Sequence, residues 1–330
     1  EGTGVRGKIN YTVWSDVFIC PQCGGEMVFW DVAVDQVKGA VRQEWDCPHC
    51  SARLSKSPRK GSGALRAERA WQTRFDRELK QTVRQARQVP VLINYSVGKQ
   101  RYEKRPDADD LALLERIENS EIPYPFPTNK LPKGDKTSDP FNLGITHVHH
   151  FYTRRNLWAL AALRQKALNS PNYTLWQGIL RGSTSYSTKM VKVNVPRLLS
   201  KGGLFSFGAV TGTLYIPSLN GERPIIDAVS GKISSVINTL SNGRESNAGI
   251  TTCSSSFVPI KKESLDYLFI DPPFGSNLMY SELNFLWEAW LGVFTNNRAE
   301  AVVNKTQRKG LPEYQALMEA CFREFYRLLK

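Results

Sequence analysis

Four of the six cysteines fall as Cys20-Pro-Gln-Cys23 and Cys47-Pro-His-Cys50. A CxxC segment turns tightly and points two thiolates at one place, so two such knuckles complete a tetrahedron around Zn²⁺. The spacing therefore predicts a zinc ribbon with Cys20, Cys23, Cys47 and Cys50 as ligands. Four thiolates close the coordination sphere, so this metal is expected to stabilise the fold and not to catalyse. A disulfide reading needs an export signal, and the opening "EGTGVRGKINYT" is polar. A thioredoxin-like redox pair needs only one CxxC. His49 lies inside the second knuckle but is not needed as a ligand. Cys253 and Cys321 stand alone, and Cys321 falls on the apolar stripe of a helix, where packing is its expected role.

A second constellation is Asp271-Pro272-Pro273-Phe274, after the apolar run "LDYLFI". The amino group of a nucleobase is a poor nucleophile, because its lone pair is delocalised into the ring. Two acceptors that take its N–H bonds would draw the nitrogen toward tetrahedral geometry. Asp271 offers a carboxylate and Pro272 a backbone carbonyl, while the two prolines stiffen the frame. Phe274 offers a flat face on which an extruded base can stack.

A third feature is charge. The chain has 330 residues and a formal charge of +13, and residues 51–105 hold 15 Lys/Arg against 4 Asp/Glu. Such a block is the electrostatic footprint of a nucleic-acid ligand, and it marks Arg59, Lys60, Arg66 and Arg69 as candidate phosphate contacts. A solvated surface is the competing reading. Arg154 and Arg155, at the start of a helix, are candidates on the same terms. His147 and His149 alternate as they would on one strand face with a catalytic or metal role, although polar surface histidines fit better.

The elements that must position these residues follow from pattern. Residues 1–57 read as the ribbon, with "DVFIC" and "QEWDC" as strands entering the knuckles and further alternating strands between them. Residues 58–140 read as a basic, DNA-contacting insertion followed by a Pro-rich connection. Within it, Trp71, Phe75, Leu79 and Val83 recur every four residues and suggest a helix, a spacing that strand alternation also fits. "VPVLINYSVGKQRYEK" reads as a hairpin about Gly98, and residues 106–122 as a helix. Residues 141–330 read as a catalytic core. Thr153 caps a helix whose face is Leu157, Leu160, Ala161, Ala167 and Leu168. "GLFSFGAVTGTLYIP" reads as strands in a hairpin, and "LDYLFID" as a short buried strand. "SELNFLWEAWL" and the segment opened by Pro312 read as helices. The second of these carries Tyr314, Leu317, Met318, Cys321, Phe325 and Leu328 inward. This alternation predicts an α/β fold with a doubly wound sheet. Ligands of such sheets bind at the carboxyl ends of the strands, where Asp271 would stand.

"DPPF" after a hydrophobic strand resembles the catalytic motif of the DNA amino-methyltransferases, which methylate adenine N6 or cytosine N4. With "GITHVHHFYTRRNLWAL" and the ribbon, the chain is similar to large prokaryotic DNA methylases that carry an inserted zinc ribbon. The resemblance implies a partial Rossmann-like methyltransferase core, S-adenosylmethionine as methyl donor and Zn as structural metal. It implies double-stranded DNA as partner, a role in restriction–modification or phage defence alongside other subunits of such a system, and Asp271, Pro272, Pro273 and Phe274 as catalytic residues. The family's Gly-rich cofactor loop has no counterpart here, since "FGAVTGT" runs into "LYIP" and not into a helix. The chain is accordingly expected to be an internal fragment, inactive by itself. Two other readings remain open: an RNA or protein amino-methyltransferase, and a zinc-ribbon nucleic-acid-binding subunit without catalysis. No apolar run approaches the ~20 residues of a membrane span, and a cytoplasmic setting is expected.

Overall fold

A computed structural model of the chain describes residues 7–201, 207–242, 249, 252–276 and 278–330. It is a mixed α/β structure with several sheets and ten α-helices among the described residues. The chain separates into two compact units, one of residues 1–130 and 139–236, the other of 131–138 and 237–330. The segment 141–236, expected to open the catalytic core, is thus compact with the ribbon and the basic segment.

The first unit is built on β1 (Lys8–Ile19), a long strand that runs directly into Cys20. Its strands continue with β2 (Glu26–Val28), β3 (Val34–Asp35), β4 (Ala40–Val41), β5 (Glu44–Asp46), β6 (Arg53–Ser55), β7 (Leu65–Arg66) and β8 (Glu68–Arg69). Then come β9 (Trp71–Asp76), β10 (Gln81–Ala86), β11 (Gln88–Val97), β12 (Gln100–Lys104), β13 (Val191–Val193), β14 (Phe207–Ala209) and β15 (Leu219–Glu222). Interleaved are α1 (Phe29–Ala33), α2 (Ala108–Asn119), α3 (Ser138–Phe141), α4 (Arg154–Leu168), α5 (Tyr173–Thr184), α6 (Val195–Lys201) and α7 (Ile225–Asn242).

An eight-stranded sheet runs β12-β11-β1-β15-β13-β14, with β2 and β8 also paired to β1. Every pairing in it is antiparallel. The first half of β1 is flanked by β11 and β15, with Thr12 opposite both Ile93 and Glu222. Its second half is flanked by β2 and β8, with Phe18 opposite Met27 and Arg69. One strand therefore serves two neighbourhoods, and the ribbon is continuous with the larger sheet. Phe18, Phe29 and Trp45 pack with ring centroids 5.3–6.0 Å apart to form the core beneath it.

Several expectations hold. β11 and β12 form the hairpin about Gly98, whose φ of 60° is the left-handed region that glycine tolerates. Asp107 caps α2, accepting from the Asp110 N–H at 3.0 Å. Thr153 caps α4 by accepting from the Asn156 N–H, and Leu157, Leu160, Ala161 and Ala167 are buried. Leu168 is exposed, against expectation, because it closes the last turn of that helix.

Others are overturned. The sheet of this unit is antiparallel and not doubly wound, because the short strands after residue 190 add to β1, nearly two hundred residues earlier. The four-residue spacing of Trp71, Phe75, Leu79 and Val83 belongs to a hairpin of β9 and β10 and not to a helix. The chain reverses between them because Asp76 Oδ1 accepts from the N–H groups of Glu78 and Leu79, both at 3.1 Å, and Lys80 takes a positive φ of 51°. Between the knuckles, Phe29–Ala33 is a helical turn where a strand was expected. β14 pairs with β13 and not within "GLFSFGAVTGTLYIP", whose residues 203–206 lie outside the described residues.

The second unit holds α8 (Tyr280–Leu283), α9 (Phe285–Leu291) and α10 (Leu311–Leu328). α9 ends at Gly292, again left-handed with φ of 73°. Pro312 lies in the first turn of α10, and Glu313 caps the Gly310 N–H at 2.7 Å. Of the residues expected to face inward on α10, Met318 and Leu328 are buried, and Tyr314, Leu317, Cys321 and Phe325 are half-buried. "LDYLFID" is not a buried strand: Tyr267 is 77% and Phe269 82% exposed, and residues 266–271 join no ladder. Only Leu265 pairs, in parallel, with Leu329 after α10, and the Lys330 N–H donates to the Leu265 carbonyl at 3.1 Å.

Candidate functional site

The two knuckles close on each other as the sequence predicts. β1 delivers Cys20 and β5 delivers Cys47. In the first, the Gly24 N–H donates to the Cys20 carbonyl and the Cys20 N–H to that of Gly25, both at 2.9 Å. In the second, Ser51 and Cys47 repeat the pattern at 2.9 Å with Cys47 and Ala52. Gly24 and Ser51, each four residues after the first cysteine, both have positive φ. The second knuckle thus repeats the backbone of the first.

The Cys20–Cys50 and Cys23–Cys47 sulfurs are each 3.7 Å apart, and all four lie within 4.8 Å of one another. A tetrahedron of Zn–S bonds of ~2.3 Å has edges of ~3.8 Å, so these spacings fit a four-thiolate metal such as zinc. The charges agree. Burial raises the Cys20 thiol, but the N–H groups of Cys23 and Gln22 outweigh it and bring it down to about 7. The Ala52 N–H lowers the Cys50 thiol, but burial and the neighbouring sulfurs push it up to about 12. The Cys50 thiol therefore resists ionisation until a cation arrives. His49 is not a ligand: its Nε2 pairs with the Glu26 carbonyl at 3.0 Å. The ring lies against Gly25, where a Cβ would collide with it.

Asp271-Pro272-Pro273-Phe274 forms an exposed loop. Phe274 is 80% exposed, Asp271 is exposed, and no described residue bonds the Asp271 carboxylate or the Pro272 carbonyl. The loop is anchored just beyond them. The Tyr314 hydroxyl of α10 donates to the Pro273 carbonyl at 2.7 Å, and the Val303 N–H donates to the Gly275 carbonyl at 3.3 Å. Behind the loop, Glu282 is buried, accepting from the Lys136 N–H at 2.7 Å and from Asn304 Nδ2 at 3.0 Å. An open groove lined by Pro272, Tyr314, Met318, Phe322 and Tyr326 borders the loop. "FGAVTGT" forms β14 and an exposed turn, with no helix start to meet a ligand.

Arg59, Lys60 and Arg66 are exposed, with Arg59 bonded to the Gln43 side chain at 2.9 Å. Arg69 is different: its Nε donates to the buried Asp16 at 2.9 Å, and its guanidinium lies over the Phe18 ring. Arg154 and Arg155 are also engaged, with Glu78 at 3.0 Å and the buried Glu222 at 2.5 Å.

The histidines are not on a strand face. Val148–Phe151 is a 3-10 turn that buries His149 and His150. Both donate through Nε2 to Asp76 Oδ2, at 2.9 and 2.8 Å. Burial raises the Asp76 carboxyl, yet these two bonds and the Leu79 N–H hold it far below the usual range. Burial lowers both rings, His150 to about 3. Sequence reasoning missed Asp76, His150 and Tyr314. A His-His pair and an Asp at a turn carry no mark of their pairing across more than seventy residues.

Comparison with protein-family models, curated proteins and solved structures returned no match.

Proposed function

We propose that the chain serves S-adenosylmethionine-dependent methylation of an exocyclic amino group of a DNA base, adenine N6 or cytosine N4. The observation that carries this reading is the Asp271–Phe274 loop. It offers a free carboxylate, a free carbonyl at Pro272 and an exposed ring at Phe274, on a backbone pinned at Pro273 and Gly275. Asp271 and the Pro272 carbonyl would accept the two N–H bonds of the amine. The nitrogen would take the methyl group as the donor's S–CH3 bond breaks and the thioether leaves, and it would lose one proton to Asp271. Phe274 would stack on the base. The isolated parallel bridge of Leu265 with Leu329, on either side of helical chain, is the pairing that a crossover connection makes. It favours an α/β arrangement for this part of the chain.

In this reading the zinc ribbon and the exposed Arg59, Lys60 and Arg66 contact the phosphates of double-stranded DNA, and the setting is restriction–modification or phage defence. The test is transfer of a labelled methyl group by the complete gene product to DNA and, in parallel, to RNA. Transfer to DNA that Asp271→Ala abolishes is the expected result. Absence of transfer to either polymer, with binding retained, would leave a zinc-ribbon binding subunit in its place.

A further inference from the structure

An antiparallel pair with one wet face ordinarily turns its apolar side chains inward and its polar ones to water. The hairpin of β9 and β10 does the reverse. Its inner face buries Asp76 and Gln85 together with Val83. Its outer face carries Trp71 and Phe75, 38% and 64% exposed, beside the exposed Thr73, Thr82 and Arg84. Exposed aromatic side chains grouped on one face mark a contact surface.

The reversal has a local cause. Asp76 is held inside by His149 and His150, which bond its Oδ2 at 2.9 and 2.8 Å. Side chains alternate along a strand, so an inward Asp76 sends residues 71, 73 and 75 outward. One buried carboxylate thus sets the face on which both rings stand.

The charges on that face have one sign. The Arg84 guanidinium lies over the Trp71 ring, 4.9 Å from its centroid. At the turn, Arg77 and Lys80 are exposed and form no ion pair among the described residues. The acids of the turn are engaged elsewhere: Asp76 with the two histidines, and Glu78 with Arg154 at 3.0 Å.

Rings and unpaired cations together narrow the partner. An apolar protein surface would cover the rings and strand the cations, and an acidic peptide would do the opposite. A single-stranded nucleic acid uses both, because bases stack on aromatic rings while phosphates meet the cations. A duplex hides the faces of its bases and offers only their edges. Trp71 and Phe75 stand four strand residues apart, ~13 Å, which is too far to clasp one base between them. Each ring therefore takes a base of its own.

We propose that the outer face of the β9–β10 hairpin binds single-stranded DNA, with Trp71 and Phe75 stacking on unpaired bases and Arg77 and Lys80 holding phosphates. The stacking stands on the hairpin alone; the choice of DNA over RNA rests on the methyl-transfer reading.

Fluorescence anisotropy of the zinc-loaded protein, without methyl donor, tests it. The probes are a labelled oligothymidylate of about 16 nucleotides, an oligouridylate of the same length and a DNA duplex. Saturable binding is expected, with the oligothymidylate losing about tenfold in affinity on Phe75→Ala and keeping it on Phe75→Tyr. Arg77→Gln combined with Lys80→Gln is expected to reduce the slope of log K against log salt by about 1.4, a slope that Phe75→Ala leaves unchanged. No saturable binding of the single strand by the folded wild-type protein would overturn the proposal. So would unchanged affinity in Phe75→Ala, or a loss on the duplex as large as on the single strand. Tighter binding of the oligouridylate would overturn the assignment to DNA. Failed methyl transfer with this binding intact would count against the methyl-transfer reading and not against the hairpin.

Discussion

The Tyr314 hydroxyl donates to the Pro273 carbonyl at 2.7 Å, tying a helix to a loop 41 residues earlier. The bond restrains the carbonyl next to that of Pro272, and with it the loop that carries the proposed acceptors. In the complete gene product, Asp271→Ala is expected to lower kcat by about 10²-fold or more, by analogy with the loss of one positioned transition-state partner. Tyr314→Phe removes one neutral hydrogen bond, and a fall in kcat of up to about tenfold is expected. Phe274→Tyr is expected to be mild, and Phe274→Ala to weaken binding of the extruded base by about 1–3 kcal/mol. Steady-state kinetics with separate kcat and KM decide; an Asp271→Ala enzyme with near-normal turnover would remove the chemical basis of the assignment.

The ribbon is expected to hold one zinc per chain. Metal analysis of purified protein should give that ratio, and Cys47→Ser should lose the metal together with the signature of the folded ribbon. Chelation should unfold the same region, because the free energy of metal binding is part of the ribbon's folding free energy. A Cys47→Ser protein with full zinc content and unchanged stability would exclude these ligands.

Gly25 and His49 form a second check on the ribbon. A Cβ on Gly25 would collide with the His49 ring. Gly25→Ala is expected to destabilise by about 1–3 kcal/mol through overpacking. Gly25→Ala with His49→Ala should recover most of that loss in a denaturant titration. Equal instability in the single and double variants would show that the ring is not the obstacle.

Arg69 should part company with its basic neighbours. Neutralising Arg59, Lys60 and Arg66 together is expected to flatten the dependence of log K for DNA on log salt, with stability unchanged. Arg69→Gln should instead lower stability, because it leaves Asp16 buried without its ion pair. A salt dependence that the triple variant does not alter would make the block a solvated face.

The buried His150 gives stability a pH dependence. Its folded-state value, about 3, lies below the unfolded value of about 6.5. The unfolded chain therefore binds more protons between those limits, and stability falls as pH drops through that window. Asp76, also depressed, adds to the loss at the lower end. Denaturant midpoints measured from pH 7 to pH 4 should decline, and His150→Gln should flatten the decline.

Local chemistry alone determined the two cysteine knuckles that face each other, the Gly98 hairpin, the helix within 106–122 and the Thr153 cap. Each rests on residues within a few positions of one another, where spacing and turn preference act directly. The metal site adds one long step, but tetrahedral coordination by two knuckles leaves it little freedom. Pairing over long distances was decided only by the tertiary structure. β1 meets β15 across some two hundred residues, and apolar patterning cannot say which strands will be neighbours or in which direction. The same holds for Asp76. At residue 76 the sequence offers only an acid before a turn, and at 149 and 150 only two histidines. Burial joins them, because a carboxylate taken out of water must find donors, and the fold places those donors more than seventy residues away.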